Sequence, residues 1–295
     1  MSFWPVRIAH EVAVAIHEGG PVVTLETSIV AQGLPEPHNL DAAFGCEEAI
    51  RSAGAVPATV AVLGGELCVG LSEQEIRGLA SASGVLKVST RDLGWTIAQG
   101  RPGATTVAAT VRAASLAGIR FMATGGIGGV HLGHPEDVSA DLFELARSSV
   151  AVFCAGAKTV LDIGLTMERL ESYQVPVLGW ATDDLPGFYL LRTGHPVTAR
   201  VDGAEDAARV LRASWGAGLH GIVIAVPPPS ELPDAAELVA RAVREVGAIS
   251  GGALTPALLA KVAELSEGRS LPLNVELVVN NARAAAETAL AFSRL

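Results

Sequence analysis

"VAVFCAGAKTVLDIG" (residues 150–164) opens as an apolar strand, turns through Ala-Gly-Ala, and sets Lys158 where the chain heads into a helix. A strand handing over to a helix through a glycine turn is the repeating unit of an α/β fold. The unit recurs on either side. Apolar runs at "PVVTLETSIV" (21–30), "VPATVAVL" (56–63), "GVLKVS" (84–89), "IRFMATGGIG" (119–128), "VPVLGW" (175–180) and "GIVIAV" (221–226) alternate with Ala-rich helical stretches such as 39–53, 104–117 and 204–217. This spacing predicts a largely parallel sheet. Uneven strand intervals and Gly-rich turns predict an open three-layer α/β/α sandwich rather than a (β/α)₈ barrel, which the length would also fit. No linker or repeat divides the chain, so residues 1–295 are expected to form one domain.

Lys158 stands out against the composition. Of 21 basic residues only Lys87, Lys158 and Lys261 are lysine, so the cations are written almost entirely as arginine. A position that stays lysine in that background points to a compact amine able to lose its proton and attack carbon. Lys261, in the helical "TPALLAKVAEL" (255–265), fits a solvated helix position. Lys87 and Lys158 follow apolar strand-like runs, where a charge needs a reason.

The bulk properties narrow the partners. A hydrophobic fraction of 49% fills a sizeable core. No apolar run reaches membrane-span length, and "MSFWPVRIAHEV" lacks the basic-then-apolar order of a signal peptide, so a cytoplasmic protein with no membrane partner is expected. The net charge of −10 and the lack of a basic stripe argue against nucleic acid. Cys46, Cys68 and Cys154 are unclustered and read as buried small hydrophobes.

Open α/β sheets gather ligands beyond the carboxyl ends of their strands. The polar residues ending apolar runs are Glu26, Lys87, Thr124 with the "TGGIGG" loop (124–129), and Lys158. Glu26 suits general-acid work if desolvated, with a structural ion pair as its rival. "TGGIGG" can present backbone amides to a phosphate or serve as a plain tight turn, with Thr124 and His131 bracketing it. Thr105 and Thr106 stand at a helix start, where capping alone accounts for them. "HPEDVSADLFELA" (134–146) reads as a loop running into a helix. Its Asp137, Ser139 and Asp141 fit either a hard cation or ordinary N-terminal capping. Asn280 and Asn281 fall on a helix, "LVVNNARAAAETA" (277–289), where helix packing competes with a functional role.

"LETSIVAQGLPEPHNLDAA" (25–43), "GAVPATVAVLGG" (54–65), "LKVSTRDL" (86–93), "GATTVAATVRAA" (103–114), "DVSADLFELA" (137–146) and "GFYLLRTG" (187–194), with the stretches quoted above, resemble the pseudouridine-5'-phosphate glycosidase family, also described as indigoidine-synthase-A-like. The resemblance runs from about residue 5 to residue 290 with the motifs in family order. It implies a mixed, mostly parallel sheet in a three-layer sandwich, a homotrimer, and Mn²⁺, one per subunit. The implied activity is reversible cleavage of pseudouridine 5'-phosphate to uracil and ribose 5-phosphate through a lysine imine with the opened sugar. Carried over by position, the nucleophile is Lys158, the proton donor Glu26 and the metal ligand Asp137. The substrate contacts are Lys87, Val107, Thr124, His131, Ser139, Ala140, Asp141 and Asn281.

Three features depart from the family pattern: Gln32 in place of a histidine, an unexpected Glu36, and Leu132 in place of an arginine within a short 131–137 segment. All are expected near the base and metal. They leave open a family member working in the synthetic direction, a C-glycosynthase joining ribose 5-phosphate to another planar aromatic acceptor. A noncatalytic sugar-phosphate-binding protein is the rival from another class, and retention of both lysines argues against it.

Overall fold

The computed structural model of the chain describes residues 6–246 and 254–295. Its main sheet has eleven strands. In spatial order the path runs β1 (Val6–Ile8), β4 (Glu66–Val69), β3 (Val56–Leu63), β2 (Val22–Leu25), β7 (Phe121–Ala123), β10 (Ala151–Cys154), β14 (Ile222–Ala225), β12 (Val177–Trp180) and β13 (Ala199–Val201). A side branch, β5 (Leu86–Val88) on β6 (Gly103–Thr105), attaches to the far end of β3. Only the pairings of β3 with β4 and with β6 are antiparallel. The sheet is therefore mixed and mostly parallel. Its open strand order excludes the barrel.

The helices are α1 (His10–His17), α2 (His38–Ser52), α3 (Glu73–Ser81), α4 (Leu93–Ala98), α5 (Val107–Ala117), α6 (Ala140–Leu145), α7 (Ile163–Ser172), α8 (Ala204–Gly216), α9 (Ala235–Val246), α10 (Leu254–Leu265) and α11 (Ser270–Phe292). The long α11 lies against β2, β7 and β10 and carries α2 and α8 beside it, while α5 meets β2 and β7 with α6 alongside. The central strands are buried throughout because helices cover both faces, which is why they read as continuous apolar runs instead of alternating ones.

All seven expected strands form. The strands missed are two to five residues long, too short to show a clear periodicity. Two readings change. The helix expected from 104 begins at Val107, because Gly103–Thr105 is taken by β6, and Thr106 caps the helix through its hydroxyl. The expected loop at 134–138 is a strand, β9 (His134–Val138), which with β8 (Val130–His131) and β11 (Leu161–Asp162) makes a separate antiparallel sheet. His131 pairs with His134 across a two-residue turn at Leu132 and Gly133, and Gly133 supplies the left-handed φ of +74°. The short 131–137 segment is a tight hairpin. Cys46, Cys68 and Cys154 are free and buried, as expected.

Candidate active site

Strands β2, β7 and β10 lie side by side and parallel, so the residues that follow them leave the sheet at the same edge. That brings Glu26, Thr124 and Lys158 together. Lys87 arrives from the side branch, inside β5. Glu26, Lys87, Thr124 and Lys158 line one open cleft of about 70 Å³, whose other walls include Gln32, Phe188, Thr255 and Asn274.

Each part is held from below. Beyond β10 the chain turns at Gly156, φ +79°, where a Cβ would stand 1.9 Å from the Pro186 carbonyl oxygen, so only glycine carries the chain to Lys158. Glu26 accepts hydrogen bonds from the Thr124 hydroxyl on one oxygen and the Ser28 hydroxyl on the other. Phe188, which walls the cleft, sits at φ +62°, a conformation rare for a side-chain-bearing residue, and its amide is tied to the Ala155 carbonyl at 2.7 Å.

The electrostatics couple the two lysines. The Lys87 ammonium is held below its ordinary value of 10.5, first by burial and next by the like charge of Lys158, while Glu26 and Asp141 pull the other way. Because the side chain keeps contact with solvent, that coupling is partly screened.

The remaining expected residues divide into supports and neighbours of the cleft. Asp141, 6% exposed, accepts the Ala108 amide at 2.9 Å and the Gly128 amide at 2.8 Å, pinning the glycine loop to the start of α5. Ser139 caps α6 through the Asp141 amide, and Ala140 opens that helix exposed to solvent. A Cβ on Gly128 would meet the Ser139 hydroxyl at 2.3 Å, so this glycine serves close packing. Val107 is the first residue of α5 with its side chain in the core. Asn281 is fully buried and donates to the Thr124 and Gly125 carbonyls, leaving its Oδ1 without a partner. Thr105 bonds inward to the Val60 carbonyl, a structural role.

His131 donates from Nδ1 to the Asp137 carbonyl at 3.1 Å, its Nε2 faces the Thr255 hydroxyl at 3.2 Å, and the Asp137 carboxylate lies 3.4 Å from Nδ1. With Nδ1 committed as a donor, the ring offers no metal lone pair on that side. Among the described residues no cluster of three His, Cys, Asp or Glu is positioned around a metal. What the hairpin does offer is one hard carboxylate, a donor set that suits a cation keeping most of its water.

Gln32 lines the cleft from a π-helical turn, Ile29–Gly33, with its amide nitrogen given to the Val85 carbonyl at 3.1 Å. Glu36 and Leu132 are exposed and are not among the residues lining it; Leu132 lies in the turn of the hairpin that carries Asp137. Sequence reading missed Ser28, Phe188, Thr255 and Asn274. "GFYLLRTG" carried a signal for Phe188, whereas Thr255 was hidden in a stretch that reads as an ordinary solvated helix.

The sequence model of the indigoidine synthase A like proteins matches residues 11–291. The chain belongs to this family. Among family members, the pseudouridine-5'-phosphate glycosidase of Deinococcus radiodurans is 50% identical, over 97% of this chain and 94% of that protein. That of Alkaliphilus metalliredigens is 47% identical over 98% and 97%. Two solved structures share the fold. The prealnumycin C-glycosynthase AlnA, in complex with ribulose 5-phosphate, superposes with a TM-score of 0.87 at 36% identity, covering 98% of this chain and 97% of its own. An indigoidine synthase A-like protein from Thermotoga maritima gives 0.91 at 30% identity, covering 99% and 97%. The indigoidine synthase A-like fold thus extends over essentially the whole chain.

Proposed function

We propose that this enzyme reversibly cleaves the carbon-carbon glycosidic bond of pseudouridine 5'-phosphate, giving uracil and ribose 5-phosphate, with Lys158 as nucleophile and Glu26 as proton donor. The observation that carries the reading is the convergence of Lys158, Lys87 and Glu26 on one cleft. A carbon-carbon glycosidic bond has no leaving oxygen to protonate, so a pair of carboxylates does not suffice. A lysine amine solves this by adding to C1' as the ring oxygen leaves and takes up the amine's proton, which opens the ribose and leaves a C1'–N bond. The nitrogen lone pair then forms the imine as the bond to the ring breaks, Glu26 delivers its proton to the departing ring carbon, and hydrolysis of the iminium releases ribose 5-phosphate, the free amine and a proton.

Lys87 contacts the substrate. Thr124, His131, Val107, Ser139, Ala140, Asp141 and Asn281 complete the substrate site, several of them by shaping the loop instead of touching the ligand. Asp137 would hold Mn²⁺, which when bound supplies a Lewis acid for substrate oxygens. We further propose a cytoplasmic homotrimer of single-domain subunits, its contacts drawing on exposed apolar side chains such as Trp95 and Phe143.

A second reading is favoured by Gln32, whose buried Oε1 has no partner beside the cleft. In it the same sugar chemistry runs toward synthesis on another planar acceptor, as the name of the AlnA neighbour describes for that protein. Incubation with Mn²⁺, ribose 5-phosphate and uracil, read by mass, tests the first reading. Formation of pseudouridine 5'-phosphate supports it. Calorimetric binding of ribose 5-phosphate with no binding of uracil favours the second, because a mismatched polar group costs about 1–3 kcal/mol.

A further inference from the structure

Glu26 gives up a proton in every cleavage cycle and must regain one, yet its two oxygens are already held by Thr124 and Ser28 on the cleft side. Adjoining the cleft through Glu26, Ile29, Thr124 and Gly125 lies a smaller cavity of about 20 Å³, lined also by Thr59 and Cys46 among apolar residues of α2 and α11. That is room for one water, with two hydroxyls and a carboxylate on its walls to bond it. Thr59 stands on the neighbouring strand in register with Leu25, one position before Glu26, and is 2% exposed. Its hydroxyl donates to Glu47 Oε1 at 2.6 Å.

Glu47 sits on α2, half-buried, with Arg51 of its own helix, Glu11 of α1 and Glu73 of α3 around its carboxylate. Burial is the largest influence and holds this carboxyl above the usual range, against the Thr59 hydrogen bond and the Arg51 charge. A fold would not place a carboxyl under a strand end for stability, since partial burial works against its charged form. The series from solvent inward is Glu47, Thr59, a water-sized cavity, Glu26.

We propose that Thr59 and Glu47 resupply the proton of Glu26 from the α2 flank of the site, through the cavity that adjoins the cleft. When Glu47 is protonated its hydrogen bond to Thr59 reverses: Glu47 passes its proton to the Thr59 oxygen, the Thr59 hydroxyl turns and gives its proton to the cavity water, and that water protonates the Glu26 carboxylate. Glu47 is then recharged by solvent. Neither residue touches substrate, so both are positioning residues acting through Glu26. The inference rests on Glu26 being the proton donor.

The test compares Thr59→Val, Thr59→Ser and Glu47→Gln with the wild-type enzyme in pseudouridine 5'-phosphate cleavage, alongside borohydride trapping of ribose 5-phosphate on the enzyme. Trapping reports the imine step, which needs no ring proton. Thr59→Val and Glu47→Gln are expected to lower kcat about tenfold, below the full worth of a direct acid. KM and the trapping rate should stay at wild-type values, and Thr59→Ser should restore most of kcat. Unchanged kcat in both variants, an equal loss in Thr59→Ser, or a parallel loss of trapping overturns the relay. A wild-type enzyme that fails to cleave the substrate overturns the activity itself, and is seen before any variant is made.

Discussion

Asn281 donates its amide to the Thr124 carbonyl at 2.8 Å, tying the end of β7 to α11 while the Thr124 hydroxyl is given to Glu26. Glu26, the proposed proton donor, is therefore oriented through a residue fixed from a distant helix. Asn281→Ala should destabilise the fold by about 1–3 kcal/mol, because the buried Thr124 carbonyl loses its donor, while that of Gly125 keeps the Ala155 amide. Denaturant unfolding measures this. A drop in ribose 5-phosphate affinity with stability unchanged would instead make Asn281 a direct ligand contact.

Borohydride with ribose 5-phosphate should trap one adduct, on Lys158. Peptide mapping distinguishes it from Lys87 and Lys261. Lys158→Arg should abolish trapping although the charge remains, since a guanidinium does not lose its proton. A label on Lys87 would reverse the two lysine roles.

Asp137→Ala is expected to remove Mn²⁺ stimulation and most turnover, while Asp141→Ala should act through the glycine loop it pins and lower thermal stability as well. Titration of Mn²⁺ against activity, with a melting curve for each variant, separates the two. Full metal-stimulated turnover in Asp137→Ala would place the metal elsewhere.

The pH profile follows from Lys87. Its amine is held below the ordinary 10.5, so its positive charge disappears at lower pH than for a free lysine. If that charge holds the anionic substrate, KM rises as pH climbs through this window, and Lys87→Arg keeps KM flat across it. The stability sign is opposite. A base with a depressed value penalises the folded state in its charged form, so the penalty is full below that value and is relieved as pH rises through it toward 10.5. A wild-type KM that stays flat up to 10.5 would remove Lys87 from charge recognition.

Much of this architecture was legible in the residues. Strands buried on both faces announce themselves as unbroken apolar runs, so β2, β7, β10 and β14 could be read directly, and the polar residues that end them mark the edge where the cleft forms. What one sequence does not encode locally is partnership across distance. Asp141 looks like a helix-start carboxylate or a cation ligand, and only the fold shows both its oxygens committed to backbone amides of α5 and the glycine loop. Thr255 and Asn274 reach the cleft because α10 and the start of α11 fold over it, which no helical periodicity reports. The hairpin at Leu132 and Gly133 was hidden for another reason: β8 is two residues long.

The position of α11 has a consequence for how the protein is made. Residues 270–292 lie against strands β2, β7 and β10, and Asn281 holds the loop after β7. A chain leaving the ribosome exposes its early segments first, at about 5–20 residues per second. The cleft edge made from Glu26, Thr124 and Lys158 thus lacks its α11 cover until this late helix has emerged, and nascent chains halted before residue 281 should require chaperone cover.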